Sequence, residues 1–175
     1  MLLRIFMRSL ILSTLLLFSH ITNAGMDSCL TTKYEDYSQA KNNYQVMLTK
    51  FIVSKYPKFE SIAQMYMNDQ LIRIEKNLIS FKYLRKNAPD ALQIGEKINR
   101  WVSITPDQEN EIASTDHRYA AILEAMNASK QRPQNKLGDD LRKVMRNEIM
   151  PSPEFVKITS EFSSIMKELN ETPCK

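Results

Sequence analysis

Few polar side chains in this sequence stand at a spacing that could do chemistry. His117 is the only histidine beyond the first 24 residues, since His20 lies within them. A metal site on a helix needs a second ligand three or four residues away. At those offsets His117 has Ala113, Ser114, Ala120 and Ala121, and none ligates zinc, so neither metal nor cofactor is expected. Ser114 and His117 are close enough in sequence to meet as nucleophile and base. A triad also needs a carboxylate on the far ring nitrogen. The nearest acid, Asp116, is the adjacent residue, and neighbours on a helix diverge by about 100°. Met65 and Met67 carry thioethers, which suit Cu(I), but residues two apart point to different sides of a helix. Met67 falls on a core stripe, Met65 does not, and filling gaps in a core is their expected role. No catalytic residue is assigned.

Cys29 and Cys174 are the only cysteines, and their chemistry depends on compartment. Arg4 and Arg8 precede an apolar run from Leu10 to Phe18, and Thr22, Asn23 and Ala24 follow. This is the pattern of an export signal cleaved between Ala24 and Gly25. The apolar run is shorter than the roughly 20 residues a spanning helix needs, so no stable membrane insertion is expected after cleavage. Met26, Asp27 and Ser28 before Cys29 lack the leucine and small residues of a lipoprotein signal. In an oxidising compartment two thiols are expected to pair. Closing a loop of about 146 residues would contribute roughly 5 kcal/mol on the chain-entropy account.

Two short stretches resemble known families. "FESIAQMY" carries Glu60-Ser61, similar to the opening of the catalytic motif of the helical lytic transglycosylases, in which the Glu is the general acid. The glycine-rich segment that follows in that family is replaced by "MNDQLIRIEK", and a first-turn acid of a helix is the expected role of Glu60. A cell-wall hydrolase using a helix-borne carboxylate stands as the alternative function. "ITPDQENEI" resembles the Leu-Thr-x-x-Gln motif of the small periplasmic Spy/CpxP-type proteins. Thr105 and Gln108 match, Ile104 replaces the leucine, and one copy stands where that family usually carries two. The resemblance implies an exported, all-helical, non-enzymatic protein linked to envelope stress or chaperoning.

The elements that would position these residues read as helices. Only three glycines occur, Gly25, Gly95 and Gly138, too few for an all-β chain. Tyr34, Tyr37, Tyr44, Leu48 and Phe51 step by helical intervals with Lys41 off pattern, and the tyrosines are expected to pack inward. Tyr56-Pro57 ends that helix. A second helix is expected over about 58–86, a third over about 90–103 with Ala91, Ile94, Ile98 and Trp101 inward, and a fourth to about 129. "TPDQ" at 105–108 should cap the fourth, with Thr105 as cap, Pro106 leading and Gln108 reaching back. A fifth is expected over about 139–149, and a sixth after Ser152-Pro153-Glu154, ending before Pro173. Asp69–Arg73, Glu96–Arg100 and Asp139–Lys143 are spaced as surface helix pairs. Asn127 and Asn170 fit the glycosylation sequon and are given no role.

The expected architecture is therefore all-α: a signal peptide at 1–24, then a single-domain bundle of about five to six helices at 25–175. The 24 basic and 20 acidic residues give the whole chain +4. The leader holds two of the basic residues and no acid, so about +2 remains, and the basic groups at 82–86 and at Lys130, Arg132 and Lys136 read as solvated surface. No nucleic-acid partner is expected. The expected function is a non-enzymatic exported protein, periplasmic or secreted, that binds another envelope protein as an inhibitor or immunity-like protein or as a chaperone. A small apolar ligand held within the bundle is a further possibility.

Overall fold

In the computed structural model the backbone is described for residues 2–174 and side chains for residues 26 and 28–174; the side chains of the leader, with its Ala24–Gly25 junction, lie outside the described residues. Six α-helices carry the fold, and no strand occurs among the described residues: α1 (Leu2–Lys55), α2 (Glu60–Asn87), α3 (Pro106–Thr115), α4 (His117–Lys130), α5 (Lys136–Val144) and α6 (Pro153–Glu171). The all-α architecture is the expected one.

Helix ends follow the local signals. Before Pro57 the backbone of Tyr56 leaves helical geometry, at φ −136° and ψ 71°, as the residue preceding a proline must. The short turn Pro57–Phe59 then drives Phe59 into the interior, fully buried. At α3 the capping box closes from both sides: Gln108 N donates to Thr105 Oγ1 over 3.3 Å, and Thr105 N to Gln108 Oε1 over 3.0 Å. Ser152 caps α6 by accepting from Phe155 N, with Pro153 in the first turn.

α1 lies between α2 and α6, α4 packs on α2, and α3 packs on α4. Both neighbours run antiparallel to α1. Tyr34 stacks on Phe81 at 4.2 Å between ring centroids, near the start of the described α1 and the end of α2; Tyr44 meets Phe162 of α6 at 4.7 Å. The core has two centres. One gathers Tyr34, Tyr37, Phe81, Leu84, Ile98 and Trp101, with Met166 and Leu169 of α6 against it. The other gathers Ile52, Phe59, Ile62, Ala63, Leu141 and Ile149, with Phe155 against it. The inward expectation for Tyr34 and Tyr37 holds, and Tyr44 is half-buried.

Two helix expectations are corrected. Residues 90–103 form no α-helix; they make tight turns at Pro89–Ala91 and Ile98–Arg100 joined by an irregular segment. Gln93 N donates to Trp101 O over 3.1 Å, and Trp101 Nε1 donates to Glu96 O over 2.9 Å, so the segment folds on itself. Leu92, Ile98 and Trp101 enter the core and Ile94 stays outside: the loop satisfies three inward positions that a helix would have placed differently. The expected helix over 106–129 is two helices, α3 and α4, because Asp116 leaves helical geometry and its carboxylate accepts from Arg118 N and Tyr119 N as a new N-cap. α5 ends at Val144 and continues as a wider π turn, Met145–Ile149, that buries Ile149.

Surface pairing also departs from the helical spacing. Asp69 accepts from both Arg132 terminal nitrogens at 2.8 Å and from Ser129 Oγ, tying the 131–135 loop to α2. Asp139 pairs with Arg142 and Asp140 with Lys143. Glu96 and Arg100 do pair, at 3.6 Å, but outside any α-helix.

A groove-flanked ridge as the candidate functional site

The residues with catalytic types do not assemble. Ser114 Oγ donates to Glu111 O over 2.7 Å, Asp116 serves the backbone of α4, and His117 is exposed beyond the break. The sequence separated Asp116 from His117 by an angle on one continuous helix; the physical reason is instead that the helix stops between them. Glu60 is exposed in the first turn of α2 and accepts from Gln64 Nε2 over 3.0 Å, as a first-turn acid would. Met65 and Met67 are both half-buried; against the expectation, Met65 packs on the second core centre, whereas Met67 lines a surface groove beside α1. Among the described residues no group of three or more His, Cys, Asp or Glu could hold a metal ion. Among them no helix is long and apolar enough to cross a membrane.

The cysteines do meet. Cys29 and Cys174 are bonded, with Cα atoms 5.7 Å apart. Their bond ties the segment after α6 to α1. Close by, Lys33 Nζ donates to Thr172 O and lies 5.5 Å over the Trp101 ring. Burial holds the Lys33 ammonium below its ordinary pKa.

Surface relief concentrates along α1. On the α6 side, a groove of about 510 Å³ runs from Cys29 past Lys33 and Asp36, walled by Ile165, Leu169 and Thr172. A second groove of about 330 Å³ continues it, between Ala40, Asn43 and Met47 on α1 and Phe162 and Ile165 on α6. Ile165 lines both, so the two form one furrow along the seam. From Cys29 to Lys50 that furrow spans about 30 Å at the helical rise. On the α2 side, a groove of about 350 Å³ lies between Val46, Val53 and Met67. Val46 and Lys50 border grooves on both sides, so this part of α1 is a ridge between two apolar furrows.

The ridge crest is polar: Gln39 Nε2 donates to Asn43 Oδ1 over 2.9 Å, and Asp36, Asn43 and Lys50 are exposed. Its shoulders are not. Met47 is 37 % exposed and Ile165 is 44 % exposed, among the few large apolar side chains left in solvent. Sequence reasoning passed over Met47 because it falls off the buried stripe. That was the available signal, since an apolar residue off the stripe on a well-patterned helix is one that its own fold does not cover.

Lys41 of α1, like Lys33, is half-buried; its ammonium lies 5.3 Å over the Tyr37 ring, and burial lowers its pKa.

These features define a disulfide-tied, all-α domain with a grooved helical surface. No protein-family model matches the chain, and comparison with curated proteins and with solved structures finds no match.

Proposed function

We propose that the chain is an exported helical protein of the periplasm or cell exterior that binds another envelope protein through the grooved surface along α1. One observation carries the reading: apolar furrows flank both sides of the ridge at Val46 and Lys50, with Met47 and Ile165 exposed on the α6 side. Apolar furrows with polar rims are the form in which protein surfaces receive a partner's helix or loop. The signal-like leader and the bonded cysteines support an oxidising location. The capping motif shared with the Spy/CpxP-type proteins fits a chaperone-like role, and an inhibitor or immunity-like role uses the same surface.

The test is affinity capture from periplasmic extract with residues 25–175 and with a Met47→Glu/Ile165→Glu variant of unchanged circular dichroism. Both sites are at the surface, so the variant is expected to fold. The reading expects a partner retained by the original chain and lost by the variant. A single partner at fixed ratio identifies an inhibitor; many weakly held clients identify a chaperone. Equal capture by both chains, or capture by neither, overturns it.

A further inference from the structure

We propose that the Cys29–Cys174 bond is a reducible latch on α6: reduction by an external dithiol frees the C-terminal half of this helix from α1 and uncovers Trp101. α6 contributes no buried residue. Its C-terminal half is held against the first core centre by half-buried Met166 and Leu169. Beyond these, Asn170 Oδ1 accepts from Ile98 N over 2.9 Å and Thr172 O accepts from Lys33. Phe162, nearer the middle of the helix, also meets Tyr44 at 4.7 Å, but beyond it these few contacts and the sulfur bond hold that end. The other end has its own anchor, since Ser152 caps the helix and Phe155 packs against the second core centre. Loss of the bond therefore releases one end of the helix and leaves the other seated.

The bond is also reachable. Cys29 lines the open groove of about 510 Å³, and Lys33 lines it one turn further on. A cation at that position favours a departing thiolate. In the reaction, a thiolate of the dithiol attacks one sulfur of the pair and the other leaves as a thiolate, which takes up a proton. The second thiol of the reductant then attacks the mixed disulfide and releases the remaining cysteine. Two electrons pass to the chain, the dithiol becomes a disulfide, and Cys29 and Cys174 end as thiols.

Trp101 is the single tryptophan and is 3 % exposed within the core centre that Met166 and Leu169 of α6 pack against, so its fluorescence reports the release. Hydrogen exchange by mass spectrometry is followed on the folded, oxidised chain before and after excess dithiothreitol. Amides of 160–171 are expected to exchange at least about ten-fold faster after reduction, with Trp101 emission moving to longer wavelength. Protection in α2 and α4 is expected to persist, and reoxidation to restore the starting pattern. Unchanged exchange in α6 overturns the latch, and so does simultaneous loss of protection in all helices, which would make the bond a staple of the whole fold. A Cys29→Ser/Cys174→Ser chain that folds is expected to show the reduced pattern and no response to dithiothreitol; an oxidised-like pattern overturns the proposal. Release would also remove the α6 wall of the furrow. That consequence rests on the binding reading, whereas the exchange measurement does not.

Discussion

Burial shifts two kinds of group on α1 in opposite directions, and stability should record both. Burial, with Tyr37 adding, holds the Tyr34 phenol above its ordinary pKa of 10.0. The unfolded chain releases that proton near pH 10 while the folded chain keeps it, so the unfolded state binds fewer protons and stability falls as pH rises beyond that point. Lys41 runs the other way. Its folded pKa lies below 10.5, so between the two values the unfolded state binds more protons and stability rises with pH. Thermal melts from pH 7 to 11 should show Tyr34→Phe moving the alkaline loss to higher pH. Lys41→Met should raise the melting temperature at pH 7 and reduce the rising part of the profile, to which half-buried Lys33 also contributes. At Gly138 the constraint is steric, because a Cβ there would meet the Tyr66 hydroxyl. Alanine favours a helix over glycine by about 1 kcal/mol at most, whereas overpacking typically costs 1–3 kcal/mol. Gly138→Ala is therefore expected to destabilise by about 1 kcal/mol. Placed on a Tyr66→Phe background, the same substitution should become neutral or stabilising in urea titrations.

Elements were legible in the sequence where one local rule decided them. The caps at Thr105 and Ser152 and the stop at Tyr56-Pro57 need only a few adjacent residues, and all three form as read. The stretch at 90–103 fails that condition. Its apolar spacing suits a helix, but Trp101 stacks at centroid distances of 6.2 Å on Tyr34 and 6.4 Å on Phe81, partners that no local pattern contains. Asp116 was equally ambiguous, since the same residue type serves as a mid-helix surface acid or as a cap, and packing of α4 on α2 selects the cap. Here Tyr119 is fully buried and shares a 3.1 Å hydrogen bond with Ser80, which fixes where α4 must begin. The loop after α4 is held in the same tertiary way, by Asp69. Asp69→Ala removes the acceptor for Ser129 and for both Arg132 nitrogens. With Arg132 partly exposed, the stability cost is expected to be about 1 kcal/mol. Limited trypsin digestion gives the sharper readout: cleavage after Lys130 should accelerate in the variant, while sites within α2 stay protected.

For the whole molecule, the pairing of Cys29 with Cys174 was legible because two thiols in an oxidising compartment have one intramolecular choice. The furrow was not legible, because it depends on how far apart α1 and α6 lie over Met47 and Ile165, a quantity of tertiary packing. The same separation decides what the disulfide contributes. On the loop-entropy account, a cross-link over 145 residues stabilises by roughly 5 kcal/mol, provided the native state is the same with and without it. A helix with no buried residue weakens that condition, because the reduced native state can shed the end of α6 and regain chain entropy. The stabilisation should then fall short of the loop-entropy figure, and the surface newly exposed on global unfolding should shrink. Urea titrations followed by circular dichroism separate the two cases through the slope, which scales with that surface. The reduced chain is expected to unfold at lower urea with a smaller slope than the oxidised chain. A lower midpoint at an equal or larger slope would instead mean that α6 stays seated until the whole bundle unfolds, with the cross-link acting on the unfolded ensemble, which its removal lets expand.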